Sequence, residues 1–275
     1  MKKFTVLVAI DFSKSSYVVL EKALGFTNLM KADLHVVHVI EGSFFSKKVD
    51  LESAKESGFL KLSEKFSSIK KDNYHCVSGK VKVEVANTAN ILCADMIIMG
   101  NSGETNFLDT FIMGSHTKEI IKYAQTPILV MKKEHDIKYN NILILTDMSK
   151  ESAHAIKYTA ELFANSSITL VNLFYMPLGS TMSLYGMDPK SLAVYQQEIQ
   201  DESQKELELF LKSLSLVKEM NVTARSIKSS LSAKTFNQEV EEIKHDLLVI
   251  HATQNVSFFA FDILEQSLAD VMVVK

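Results

Sequence analysis

Arginine is almost missing from this chain. Of its 30 basic residues only Arg225 is an arginine. A phosphate or carboxylate ligand cannot be gripped by the bidentate guanidinium forks that many anion sites use, and must rely on backbone amides, hydroxyls, lysine or a metal. Cysteine is scarce as well: Cys76 and Cys93 are the only two, so no disulfide framework is expected and a reducing, cytoplasmic setting fits. No apolar run reaches the ~18 residues that a membrane span requires. The start, Met1-Lys2-Lys3-Phe4, enters a short strand-like run ending at Asp11, without the long apolar core and small-residue cleavage site of a signal peptide. The net charge of −3 and pI near 6.3 leave no electrostatic footprint for nucleic acid. What remains is a globular composition, 47% hydrophobic and 23% charged, in 275 residues, enough for one large domain or two small ones.

The chain repeats itself. Val8-Ala9-Ile10-Asp11-Phe12-Ser13-Lys14-Ser15-Ser16 aligns with Ile144-Leu145-Thr146-Asp147-Met148-Ser149-Lys150-Glu151-Ser152, 136 residues later. Ala94-Asp95-Met96-Ile97-Ile98-Met99 matches His245-Asp246-Leu247-Leu248-Val249-Ile250 at an offset of 151, and Ile128–Lys132 matches Val271–Lys275 at 143. The second copy therefore gains 15 residues before its Asp246 landmark and loses 8 after Ile250. Such self-similarity points to two copies of one unit, 1–137 and 138–275.

Each copy reads as alternating strand and helix. Phe4–Ile10, Leu34–Ile40, His75–Ser78, Met96–Met99 and Ile128–Met131 are expected strands. The continuous apolar runs among them suit a parallel sheet covered on both faces. Helices are expected from Ser13 to about Lys31, over Leu51–Lys71, Val83–Cys93 and Thr117–Ala124, with Ser13 as a capping residue. The second copy follows the same order, including a long helix over Ser191–Glu219, a helix over Phe259–Ala269 and a last strand over Val271–Val274. The class is α/β, with right-handed crossovers.

Three of the nine glycines, Gly100, Gly103 and Gly114, share a 15-residue window. The window opens where the strand Met96–Met99 ends and closes on Gly114-Ser115, which begin a helix. Glycines let backbone amides approach an anion, the helix start offers unpaired N–H donors, and ligands of open α/β sheets bind beyond the carboxyl ends of the strands. Neither G-x-x-x-x-G-K-[ST] nor G-x-G-x-x-G is present. An ordinary glycine-containing turn is the competing reading.

These segments together resemble the universal stress protein family, in tandem. The resemblance rests on Val8–Ser13, Leu34–Val39, Ala94–Gly100 and Pro127–Lys132. It implies two Rossmann-like domains of the adenine nucleotide alpha hydrolase-like type, each a five-stranded parallel sheet with helices on both faces. The nucleotide-binding branch carries G-x2-G-x9-G-[ST]. Here Gly100-Asn101-Ser102-Gly103 and Gly114-Ser115 fit, with ten residues between the pairs instead of nine. The resemblance implies an ATP or AMP site, with Mg²⁺ as a possible companion. Asp11 would lie near the nucleoside and the Val39 backbone at the adenine edge, while Gly100, Gly103, Gly114 and Ser115 would hold ribose and phosphates. Ala9, Ile10, Ser13, Met99, Asn101 and His116 complete the implied set. The resemblance places the last strand of each half, Ile128–Met131 and Val271–Val274, at a sheet edge; exposed apolar edges invite pairing, so an intramolecular pseudo-dimer of the two halves is expected, and a homodimer of two chains is a further expectation.

The second copy keeps Asp147 and Ser149 but has no glycine after Ile250, so a tight phosphate cradle is not expected there. His35 and His38 point to opposite faces of one strand. His251 has no neighbouring cysteine or histidine, and no metal cluster is visible. Three functions stay open on the residues: a nucleotide-binding regulatory protein with its site in the first half, a slow ATPase, and a ligand-free interaction module.

Overall fold

The computed structural model describes residues 2–41, 50–101, 113–132, 136–174, 186, 188–216, 220–228, 233–240, 242–252 and 258–275. Gly103 and its neighbours between Asn101 and Met113 lie outside these. The chain divides into two compact units, Met1–Lys138 with Asp270–Lys275, and Tyr139–Ala269.

The first unit is built from β1 (Thr5–Ile10), α1 (Lys14–Met30), β2 (Asp33–Ile40), α2 (Leu51–Ser63), β3 (Tyr74–Ser78), α3 (Val81–Ile91), β4 (Met96–Gly100), α4 (Ser115–Tyr123) and β5 (Ile128–Met131). These strands lie parallel in the order β3-β2-β1-β4-β5. Val6, Leu7, Val8, Val36, Val37, Ile97, Ile98 and Leu129 are wholly buried, which explains why the strands read as unbroken apolar runs. Right-handed crossovers put α1 and α2 on one face, and α3 packs with α4 on the other.

Helix α2 ends at Ser63, earlier than the expected Lys71. Successive tight turns, in which Lys65 and Phe66 N–H bond Leu62 O and Ile69 N–H bonds Phe66 O, replace its last two turns. They bury Ile69 and leave a short 3-10 turn over Lys71–Asn73 to enter β3.

The chain's last strand, β10 (Asp270–Val274), belongs to the first unit and pairs antiparallel with β5, Met272 opposite Leu129. Asp270 is fully buried and its Oδ1 accepts from Lys132 N at 2.7 Å. The first unit holds five parallel strands and one antiparallel strand. Among its described residues the second unit holds four, β6 (Asn141–Thr146), β7 (Ser167–Phe174), β8 (Val222–Lys228) and β9 (Leu247–His251), parallel in the order β9-β6-β7-β8.

The second unit's helices are α5 (Lys150–Leu162), α6 (Pro189–Ser213), α7 (Ala233–Val240) and α8 (Phe258–Gln266). Its core joins Leu143, Val171, Phe236, Val240, Leu248 and Ile263. Helix α6 starts at Pro189 behind the N-cap Asp188, whose carboxylate accepts from Lys190 N and Ser191 N. Its glutamines seal the backbone of β8: Gln204 Oε1 accepts from Ser226 N while Gln204 Nε2 donates to Ala224 O, and Gln200 Nε2 donates to Ser226 O. A side-chain amide reproduces a neighbouring strand's pairing and blunts that backbone against foreign strands.

The sequence repeat has a structural cause in each unit. Asp95 Oδ2 accepts from Thr5 N at 2.8 Å, and Asp246 Oδ2 accepts from Asn140 N and Asn141 N at 3.0 Å. The recurring aspartate before β4 and β9 pins the start of β1 and β6 respectively.

Candidate functional site

The site begins with the turn after β1. Asp11 Oδ1 accepts from Ser13 N at 3.0 Å, and Ser13 then caps α1, its side chain accepting from Ser16 N. Between them Phe12 has φ +62°, a left-handed conformation that costs a non-glycine residue energy. Packing holds it there: the Phe12 ring sits edge-on to His38 at 4.7 Å, with Tyr17 and Tyr74 beyond and the Lys61 ammonium 5.1 Å away. His38 Nδ1 lies 3.0 Å from Ile10 O. A carbonyl only accepts, so Nδ1 carries the proton and the end of β1 is fixed by a neighbouring strand.

Beside this turn, at the carboxyl ends of β1, β2 and β4, a cavity of about 540 Å³ opens toward α3 and α4. The size is that of a small-molecule site. Its walls are apolar: Val37 and Val39 from β2, Val81 and Val85 from α3, Met99 from β4 and Ile120 from α4. Polar groups gather at its rim, namely Asp11, Glu41, Ser115 and His116, with Ser16 and Thr117 contributing hydroxyls.

Of the residues expected from sequence, Ala9, Ile10, Asp11, Val39, Met99, Gly100, Gly114, Ser115 and His116 line this one cavity. Ser13 does not line it; its side chain caps α1. Asn101 does not line it either. It is buried beneath the start of α4, where its carbonyl accepts from Gly114 N at 2.9 Å and Thr117 Oγ1 at 3.2 Å, while Asn101 N donates to Met131 O. Gly114 therefore offers a ligand room at its Cα, its amide being committed to Asn101. Gly114 is also the N-cap of α4 and supplies no side-chain acceptor, so the first-turn amides of Ser115 and His116 are not capped from that side chain.

Sequence reasoning missed Ser16, Val37, Glu41, Val81, Val85, Thr117 and Ile120. For Val81 and Val85 a signal existed, the four-residue spacing that puts both on one helix face. Glu41, directly after β2, carried none.

Burial pushes the Asp11 carboxyl up, but donation from the Ser13 hydroxyl and amide and the Ser16 hydroxyl outweighs it, and the group titrates below the ordinary carboxylate range. Asp11 is thus an anionic acceptor at neutral pH. Glu41 Oε1 takes the Val81 amide at 3.4 Å, and Glu41 Oε2 lies 3.9 Å from His116 Nε2. Among the described residues no group of three histidine, cysteine, aspartate or glutamate side chains is placed to hold a metal. No described helix is long and apolar enough to cross a membrane.

Comparison with known proteins gives a family match over residues 4–132, to the universal stress protein family. The universal stress protein A homolog 1 of Coxiella burnetii is 34% identical over 137 residues, covering 46% of this chain and 94% of that protein. The chain belongs to the universal stress protein family. A second member, from Methanocaldococcus jannaschii, is 28% identical over 47% of this chain and 95% of its own length. Each of these relatives is nearly whole in the alignment yet spans about half of this chain. Over its full length the fold resembles that of a universal stress protein from Archaeoglobus fulgidus, with TM-score 0.62 and 16% identity, covering 98% of this chain and 96% of that one. A Pseudomonas aeruginosa protein of unknown function has TM-score 0.64 at 14% identity, with 99% and 92% covered.

The second unit of this universal stress protein repeats the turn and changes what stands beside it. Asp147 Oδ1 accepts from Ser149 N at 3.0 Å, Met148 has φ +61°, and Asn172 Nδ2 donates to Thr146 O as His38 does to Ile10 O. Where β4 ends in Gly100, β9 ends in His251. Its Nε2 lies 3.2 Å from Asp147 Oδ2, and the imidazole is only 18% exposed. Burial raises the Asp147 carboxyl, but hydrogen bonds from Ser149, the charge of His251 and the Ser152 hydroxyl outweigh it and leave the group below the ordinary range.

Proposed function

We propose that this universal stress protein is an adenine-nucleotide-binding regulatory protein whose site is the cavity of its first unit. The observation that carries the reading is the pairing of an apolar slot, walled by Val37, Val39, Val85, Met99 and Ile120, with Asp11 at one part of its rim and Ser115 and His116 at another. An aromatic base needs the first, ribose hydroxyls need an anionic acceptor, and phosphates need hydroxyl and amide donors at a helix start. Gly100 supports close approach at the end of β4. Gly103 belongs to the same reading and lies outside the described residues. No lysine or arginine lines the cavity among the described residues, which favours binding over rapid phosphoryl transfer. Any Mg²⁺ would arrive with the phosphates.

Restriction to the first unit is part of the proposal. His251 engages Asp147 and puts an imidazole where the first unit has only the Gly100 backbone. The halves are further proposed to act as an intramolecular pseudo-dimer, a reading supported by the placement of β10 in the first compact unit. Homodimer formation and a cytoplasmic setting complete the proposal.

The test is isothermal titration of the full chain with ATP, AMP and adenosine, alongside mass spectrometry of the freshly purified, denatured protein. The reading expects bound or co-purified adenine nucleotide and phosphate release far below the ~1–10³ s⁻¹ of ordinary enzymes. No binding of any of the three ligands would leave a ligand-free interaction module.

A further inference from the structure

We propose that Glu41 and His116 form a pH-sensitive latch at the mouth of the cavity, in which His116 exchanges Glu41 for the phosphate of a bound nucleotide. The inference rests on the nucleotide reading above and adds to it the residues that set charge preference and its dependence on pH.

The two side chains reach the cavity from different elements. Glu41 follows β2 directly, and His116 is the second residue of α4; both line the cavity. Glu41 is anchored at one oxygen, where Oε1 accepts from Val81 N at the start of α3. That amide has no cap from the side chain of the preceding Lys80, so the carboxylate is the group that serves the helix start. Its other oxygen faces His116 Nε2 at 3.9 Å, beyond a direct hydrogen bond. Both side chains are about half exposed, 55% for His116 and 52% for Glu41. The contact is therefore loose enough to be exchanged for a stronger one.

A carboxylate on the rim of an anion site is repulsive by itself. Histidine decides whether it stands alone, because it is the side chain whose charge ordinarily changes between pH ~5 and 8. Charged, His116 neutralises Glu41 in the empty site and pairs with phosphate in the filled one. Uncharged, it leaves Glu41 as a bare negative charge beside the phosphate. Among the described residues, two neighbouring carboxyl groups are held below the usual range. Asp11, from the turn after β1, titrates below the usual carboxylate range. On α4, Glu119 is held down first by its hydrogen bond from Lys82, at 2.9 Å, with the charges of Lys82, His116 and Lys80 adding to it. Lys80 and Lys82 at the start of α3, and Lys118 on α4, are the basic groups of these two helix starts. Among the described residues that line the cavity, His116 is the histidine.

This arrangement predicts discrimination between ligands as well as pH dependence. A nucleoside without phosphate meets neither member of the latch. A phosphorylated nucleoside meets both, and gains from acidification through the protein beyond what its own ionisation gives.

The experiment is calorimetric titration of the full chain with AMP and adenosine at pH 6 and pH 8, for the wild type, Glu41→Gln and His116→Gln. Phosphate ionisation is common to all three proteins, so ratios of their affinities cancel it. The expected result is that Glu41→Gln strengthens AMP binding about three- to five-fold at pH 8, in keeping with an exposed charge pair worth up to ~1 kcal/mol, and more at pH 6, where the substitution also frees His116 from a competing partner. His116→Gln should bind AMP more weakly than wild type at pH 6 and match it at pH 8. Adenosine should show neither effect. AMP ratios that are the same at both pH values, for both variants, overturn the latch and leave the nucleotide reading standing. Failure of AMP and adenosine to bind any of the three proteins overturns the nucleotide reading, and the latch with it.

Discussion

His251 Nε2 lies 3.2 Å from Asp147 Oδ2, at the strand ends where the first unit sets Gly100 beside Asp11. Two copies of one turn thus meet different neighbours. In the first, the aspartate is held by serine hydroxyls and amides and faces a cavity; in the second it is also bound to an imidazole.

Substitutions at the two aspartates should separate the copies. Asp11→Ala removes a charged acceptor from the cavity rim, and hydrogen bonds to charged groups are worth about 1.5–3 kcal/mol. AMP affinity should fall at least ten-fold by titration calorimetry, whereas Asp147→Ala should leave it within two-fold of wild type. The opposite pattern would move the site to the second unit.

Gly58 offers a test of packing behind the Phe12 turn. It lies in α2, where alanine ordinarily stabilises a helix by ~1 kcal/mol. Here a Cβ at position 58 would stand inside the contact distance of Tyr74 Oη, 3.1 Å from Tyr74 Cζ and 3.3 Å from Phe12 Cζ. Tyr74 is almost fully buried and cannot swing away freely. Gly58→Ala should therefore destabilise the protein by about 1–3 kcal/mol in urea denaturation. Stabilisation would show that α2 shifts at no cost.

His35 and His75 should make stability fall on acidification. Their rings stack at 5.3 Å with Nδ1 of His35 3.0 Å from Nε2 of His75. Burial lowers the affinity of both for protons, and the charge of His35, then Lys55, lowers His75 further; Asp33 opposes this at His35 only in part. A histidine depressed in the folded state binds its proton more readily when unfolded. The stabilisation is complete above the unfolded value near 6.5 and is lost as pH falls below it toward the folded values. Thermal unfolding at pH 7.5 and 5.5 should show a loss for wild type that His75→Gln reduces. Equal losses in the two proteins would remove the pair from the explanation.

The last strand can be tested at its first residue. Asp270→Ala would strip the buried Lys132 amide of its acceptor, at a cost of about 1–3 kcal/mol, and Asp270→Asn should recover part of it. A chain ending at Ala269 would leave the β5 edge open and should self-associate in sedimentation experiments. A monomeric, equally stable truncated chain would show that β5 needs no partner.

What could be read in the sequence was whatever local chemistry fixes. Asp11 and Asp147 stand two residues before a helix cap because the carboxylate bonds the cap's own amide, and Asp95 and Asp246 recur because each ties down a neighbouring strand start. Strands buried on both faces announce themselves as unbroken apolar runs, so the order of β1, β2, β4 and β5 was legible along with the glycines and Ser115–His116 at their ends. Periodicity carries no such information about partners far away in the chain. That the apolar edges of β5 and β10 would pair was expected from the sequence, but their antiparallel register, across more than 130 positions, and the buried Asp270 that holds Lys132 N were decided only in the fold. Glu41 enters the cavity only because β2 ends there; His35 meets His75 through the register of β2 against β3; and Gly114 loses its amide to Asn101 only because the end of β4 and the start of α4 lie side by side. His251 looked isolated in sequence and found Asp147 only once β9 lay beside β6, since parallel neighbours in a sheet are set by crossover topology and not by nearness along the chain.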